Sequence, residues 1–323
     1  MTSVRQRITQ PVSTPQSDAN NAVELYPKSR SNSLTLKWSE IPEWMQDNEY
    51  ITSGYRRELK TFKACAWSVI GYLHNETVNI HSHLQPALLF IYFLATHHLH
   101  LFPDADTTPG YTTAGWTDYA MMTVFLASAV FCLFNSAFYH AVGAHSLAVS
   151  TRCHALDYAG IIVLTVGSFY PCIYYAFYCE PVYQVVYLST ITIAGCGAAY
   201  IVLNPTYATP SHRGARTGVF IGLGLCSVLP VSHALVAHGF GTLCREMGFG
   251  WLVGSGGLYI GGALIYANRI PERLAPGRFD LFFASHQIFH ACVVLAALAH
   301  YKCVLTAFEH WHAVRGGACK VTS

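Results

Sequence analysis

The chain has 323 residues, of which 11 % are Asp, Glu, Lys or Arg and 52 % are apolar, against about 25 % charged in ordinary soluble domains. Seven windows carry no charged side chain at all: 77–103, 119–151, 158–179, 181–212, 217–244, 247–268 and 281–301. Each is long enough for a membrane-spanning helix, which needs about 20 residues, so a soluble globular domain, a disulfide-stapled module and a coiled coil are excluded. A net charge of +2 with no basic stripe argues against nucleic-acid binding. A membrane barrel would alternate polar and apolar residues at strand spacing, and these windows do not.

In chain order, residues 1–35 are rich in Ser, Gln, Asn and Thr and lack an apolar signal core; they read as a disordered cytoplasmic tail. Residues 36–83 read as a cytoplasmic juxtamembrane segment. Trp38, Ile41, Trp44, Met45, Tyr50 and Tyr55 suggest that it packs under the membrane domain, and 60–76 suggests a short amphipathic interfacial helix. Residues 84–307 form the predicted membrane domain, an all-α bundle of seven transmembrane helices near 84–102, 117–140, 157–178, 183–203, 215–238, 249–268 and 284–306. Residues 308–323 form a short external tail. Fifteen Lys and Arg fall on the side of the N-terminus and four on the other, which places the N-terminus in the cytoplasm and the C-terminus outside. The sequon Asn75-Glu76-Thr77 is then cytoplasmic and is expected to be unused. Cys179, Cys244, Cys303 and Cys319 fall towards the outer side, where a disulfide can form, and their pairing is left open.

Most of the 17 histidines read as isolated hydrogen-bonding residues. Three differ. His286 and His290 are four apart near the start of span seven, so both imidazoles share one helix face. Span two ends at the same cytoplasmic depth with Ser136 and His140, again four apart, and span three opens there with Asp157. Three imidazoles, a carboxylate and a hydroxyl from three helices point to zinc, and three protein ligands leave one position open, as in catalytic zinc sites. Asp157 could instead simply cap span three. Glu76, Asn79 and His83 share a face just before span one; they read chiefly as capping and hydrogen-bonding residues of an interfacial turn, with membership of the site as the alternative. The glycines of spans four to six, including Gly195, Gly197, Gly222, Gly224, Gly254 and Gly262, permit either close helix packing or room for an acyl chain.

The runs Asn75-Glu76-Thr77-x-Asn79-Ile80-x-Ser82-His83, Ser136-x-x-x-His140, Leu156-Asp157-Tyr158-x-Gly160-Ile161 and Ser285-His286-Gln287-x-x-His290 resemble the progestin and adipoQ receptor family over roughly residues 36–307. That family includes the adiponectin receptors, haemolysin III-like proteins and fungal zinc-homeostasis proteins, and the fungal members look most similar. The resemblance implies a seven-helix bundle with a cytoplasmic N-terminus. It implies Zn2+ as cofactor, held by His140, His286 and His290, with Asp157 as the acid beside the metal's water and Ser136 as a nearby hydroxyl. It also implies a ceramide-like membrane lipid as substrate and hydrolysis of its amide, with Asp157 moving the proton and Ser136 holding a water or the oxyanion. A non-enzymatic receptor with a structural zinc is the alternative, and it brings an extracellular ligand as partner; zinc transport is a weaker third, because the ligands gather at one end of the bundle. Self-association and a plasma-membrane or endoplasmic-reticulum location fit the sequence equally well.

Overall fold

The computed structural model describes residues 33–101, 113–207 and 210–319; the expected disordered tail at 1–35 falls almost wholly outside them. The chain begins with a small antiparallel pair, β1 (Thr35–Leu36) and β2 (Tyr55–Arg56), in the register Thr35↔Arg56 and Leu36↔Tyr55. Helix α1 (Phe62–Gly71) follows, started by the Thr61 hydroxyl, which accepts from the Ala64 N–H at 3.2 Å. The bundle helices are α2 (Thr77–Leu101), α3 (Trp116–Val142), α4 (Leu147–Ala176), α5 (Pro181–Val202), the broken pair α6 (Arg213–Leu225) and α7 (Val228–His238), α9 (Phe249–Asn268) and α10 (Ser285–Glu309); the short α8 (Phe240–Glu246) lies between α7 and α9.

Six of these segments are long and apolar enough to cross a membrane, with Arg213–His238 taken as one. The chain is a multi-pass integral membrane protein. Helix α2 is 25 residues long, enough to span, but His81, His83, Gln85, His97, His98 and His100 dilute its apolar character. It packs on α3 and α10 and supplies Phe90 and Ala87 to the main core. It is therefore the seventh helix of the bundle, with His83 and His97 buried in its interior. The apolar side chains left exposed, such as Val182, Ile193, Tyr200, Leu229 and Val236, are what a lipid-facing surface requires.

Helices α3 and α4 approach closely because small residues face each other. A Cβ on Gly160 would stand 2.9 Å from the Cys132 Cα, and one on Gly167 would overlap the Ser128 hydroxyl. Of the glycines noted in the sequence, Gly195 and Gly262 pack tightly in the same way, whereas Gly197, Gly222, Gly224 and Gly254 meet nothing within 4 Å. The close-packing reading therefore holds at Gly195 and Gly262 and not at the other four.

The N-terminal segment is fastened beneath α10. Ile41, Ile51 and Tyr55 form a small core with Ala284. Asp280 accepts from the Thr52 N–H at 2.8 Å and the Ser53 hydroxyl at 2.6 Å. Buried Glu272 accepts from the Ser285 N–H at 2.7 Å, placing a carboxylate at the α10 N-terminus, where the helix dipole favours it. At the other end of the bundle a disulfide joins Cys179, just after α4, to Cys319, after α10. That is the side the charge count assigns to the outside, where thiols oxidise. Cys244 and Cys303 are free thiols, and Cys303 is buried against the Met247 carbonyl.

Candidate metal centre

His140 lies in the last turn of α3, and His286 and His290 lie in the first two turns of α10. One ring nitrogen from each falls within 4.8 Å of the others, so the three could hold a metal ion. His140 Nε2 and His286 Nε2 face each other at 3.0 Å. The outer nitrogens of two rings are engaged elsewhere. Glu76 Oε2 accepts from His140 Nδ1 at 2.6 Å, and the Asn79 carbonyl accepts from His290 Nδ1 at 3.2 Å, with the Ser82 hydroxyl 3.1 Å from the same atom. Each acceptor keeps the ring proton on Nδ1 and turns the Nε2 lone pair inward, the tautomer a metal-binding imidazole needs. Lone pairs converging on one point repel unless a cation lies between them. The donor set therefore fits a divalent metal that accepts imidazole.

Arg56 fixes His140 from the other side. Its buried guanidinium donates to the His140 and Ala141 carbonyls and to the Ser68 hydroxyl. This satisfies two carbonyls at the α3 C-terminus with a positive charge, where the helix dipole favours one. Glu76 also accepts from Asn79 Nδ2 at 2.8 Å. Burial opposes its charge, but the His140 ring, the Asn79 amide and Arg56 together hold it well below the usual carboxylate range. Glu76 thus contacts a histidine of the candidate centre, in line with the second of the two readings its sequence position allowed. Nothing in the sequence marks Arg56, which acts from β2 on a helix end 84 residues away.

Asp157 and Ser136 are both buried. Helix α4 starts at Leu147 with Ser146 as its N-cap, not at Asp157. Ten residues of helix, roughly 15 Å at 1.5 Å each, separate Asp157 from the start of α4. Asp157 therefore caps nothing. Its carboxylate lines an internal cavity of about 290 Å3 together with Ser136, His83, His286 and His290. The cavity runs up the bundle between α4, α6, α9 and α10 as far as Phe177 and Ala307, and its far walls are almost entirely apolar. Asp157 and Phe177 are roughly 30 Å apart along α4, a reach that suits an extended hydrocarbon chain.

A helical membrane bundle with a three-histidine centre at one end of an apolar internal cavity is the class of protein these features define. The Haemolysin-III related family matches residues 71–301, and the chain belongs to that family. It is 36 % identical over 276 residues to the ADIPOR-like receptor IZH2 of Saccharomyces cerevisiae, covering 85 % of this chain and 84 % of the yeast protein. It is 38 % identical over 266 residues to the progestin and adipoQ receptor-like protein 1 of Caenorhabditis elegans, and 36 % identical over 268 residues to the adiponectin receptor protein of Drosophila melanogaster. Each match covers 82 % of this chain but only 59 % and 57 % of those two longer proteins.

Proposed function

We propose that the protein is a zinc-dependent lipid amide hydrolase acting on ceramide-like substrates, with a role in sphingolipid signalling and in lipid and zinc homeostasis. The observation that supports it most is that the three histidines, Asp157 and Ser136 meet at one end of a cavity whose remaining length is apolar. Such a chamber suits a substrate with a polar amide and a long tail.

His140, His286 and His290 would hold the zinc. When bound, zinc supplies Lewis acidity, which lowers the pKa of water at the site towards about 7 and polarises a carbonyl. Asp157 takes the proton of the attacking water and returns it to the departing amine. Ser136 lines the chamber beside Asp157, and its hydroxyl supplies a donor for a developing oxyanion. Glu76 and Arg56 hold His140, and the Asn79 carbonyl holds His290. The apolar cavity excludes bulk water along the tail.

A receptor function with a structural zinc is the second reading. It is favoured by the fastening of the N-terminal segment to the same helix ends: Arg56 and Glu76 grip the end of α3, and Ser53 and Thr52 grip Asp280 ahead of α10. Metal occupancy would then set the position of that segment. Purified protein in lipid, offered ceramide, distinguishes the two. The hydrolase releases free fatty acid in a zinc-dependent manner, and Asp157→Asn keeps its zinc while losing turnover. Zinc binding without release of fatty acid from any ceramide supports the receptor.

A further inference from the structure

His83 is buried on α2, 3 % exposed, and the chemistry above does not use it. Its ring lies flat on that of His290, with centroids 3.6 Å apart and planes inclined by 6°. Neither ring nitrogen has a hydrogen-bond partner among the described residues, although an unpaired polar atom in a protein interior is costly. The ring also borders the cavity, beside Ser136, Asp157 and His286. The stack fixes the ring plane and hence the directions of both nitrogens. A neutral imidazole offers one donor and one acceptor.

We infer that His83 is a substrate-binding and specificity-determining residue, one of whose ring nitrogens bonds the secondary amide of the lipid or a hydroxyl beside it. The inference rests on the lipid-amide reading of the cavity. It goes beyond that reading by assigning the choice of polar head to α2 rather than to the metal ligands. A lipid lacking the matching group leaves that ring nitrogen unpaired, and sites built to bond such a group reject analogues without it.

The test is binding, measured on zinc-stripped full-length protein in nanodiscs by native mass spectrometry. The three probes are ceramide, its 1-deoxy analogue and its N-methyl amide analogue. Wild type is expected to retain ceramide at least about tenfold better than one of the two analogues, a ratio within reach of a single lost hydrogen bond. Loss with the N-methyl probe identifies the amide as the partner, and loss with the 1-deoxy probe identifies the hydroxyl. His83→Phe keeps the ring stack and is expected to bind all three alike, whereas His83→Gln, which retains a donor and an acceptor, restores part of the preference. Equal retention of the three by wild type, no retention of any, or an undiminished preference in His83→Phe overturns the inference. So does loss of zinc from His83→Phe, which would make His83 a ligand. A His83-dependent preference without any hydrolysis leaves the inference standing and removes the hydrolase. Asp157-dependent hydrolysis with no such preference does the reverse.

Discussion

Removing Glu76 tests how the centre is held together. Its carboxylate accepts from His140 Nδ1 at 2.6 Å, a charge-assisted contact between a buried ring and an acid held ionised by its neighbours. Glu76→Ala frees the ring to turn and to shift its proton, and it leaves Nδ1 without a partner. Loss of such an outer partner typically lowers metal affinity about 10–100-fold, which is roughly 1.4–2.7 kcal/mol. Glu76→Gln retains a carbonyl oxygen at the same reach, so the tautomer survives and the loss falls at the low end of that range. The assay is zinc competition with a chromophoric chelator on detergent-purified protein, with the fold of each variant checked by thermal melting. Zinc affinity in Glu76→Ala within twofold of wild type would refute the reasoning, because Glu76 would then be only a capping residue of α2.

Three further outcomes are expected. Gly160→Ala pushes a methyl group to within 2.9 Å of the Cys132 backbone and forces α4 off α3; it should lower thermal stability by about 1–3 kcal/mol, as overpacking does, and reduce turnover more than zinc content, because Asp157 shifts while the three histidines stay. Cys179→Ser with Cys319→Ser opens a link spanning 140 residues and should cost about 2–4 kcal/mol in a thermal melt, with zinc affinity unchanged because the disulfide lies at the far end of the bundle. His74 lies ahead of the first membrane helix and is wholly buried; its Nδ1 accepts from the Glu76 N–H at 3.1 Å, and burial, followed by Arg56, pushes its pKa from 6.5 down to about 4. A neutral His74 thus stabilises the fold fully above about pH 6.5, and this is lost as pH falls through about 4, amounting to up to about 3 kcal/mol; melting temperature against pH should flatten over that window in His74→Gln.

Much of this architecture was written into the sequence as composition. Charge-free windows and the distribution of Lys and Arg gave the bundle, because a membrane core rejects charge irrespective of tertiary detail. His286 and His290 were legible because the helix period alone puts them on one face, and His140 because the topology returns the end of α3 to the same depth. Helix ends were less legible. Charge windows mark where the apolar run begins, not where the helix does, so α4 starts ten residues ahead of Asp157. Glu76 left two readings open, since an acid ahead of a helix is usually a cap, and only the approach of α3 gives it His140. Arg56 carried no signal at all, because its partners are backbone carbonyls, which any sequence supplies. The disulfide was narrowed to four cysteines and no further, because pairing depends on how the turn after α10 brings Cys319 to the end of α4.

The most direct measurement is the metal content of the purified chain in lipid, by elemental analysis, for wild type and for His140→Ala, His286→Ala and His290→Ala. The proposed function predicts about one zinc per wild-type chain, the stoichiometry of a single three-ligand centre, and near-complete loss in each variant, with Asp157→Asn retaining its metal. Zinc absent from the wild type, or kept by all three histidine variants, would contradict the assignment of these residues as the centre.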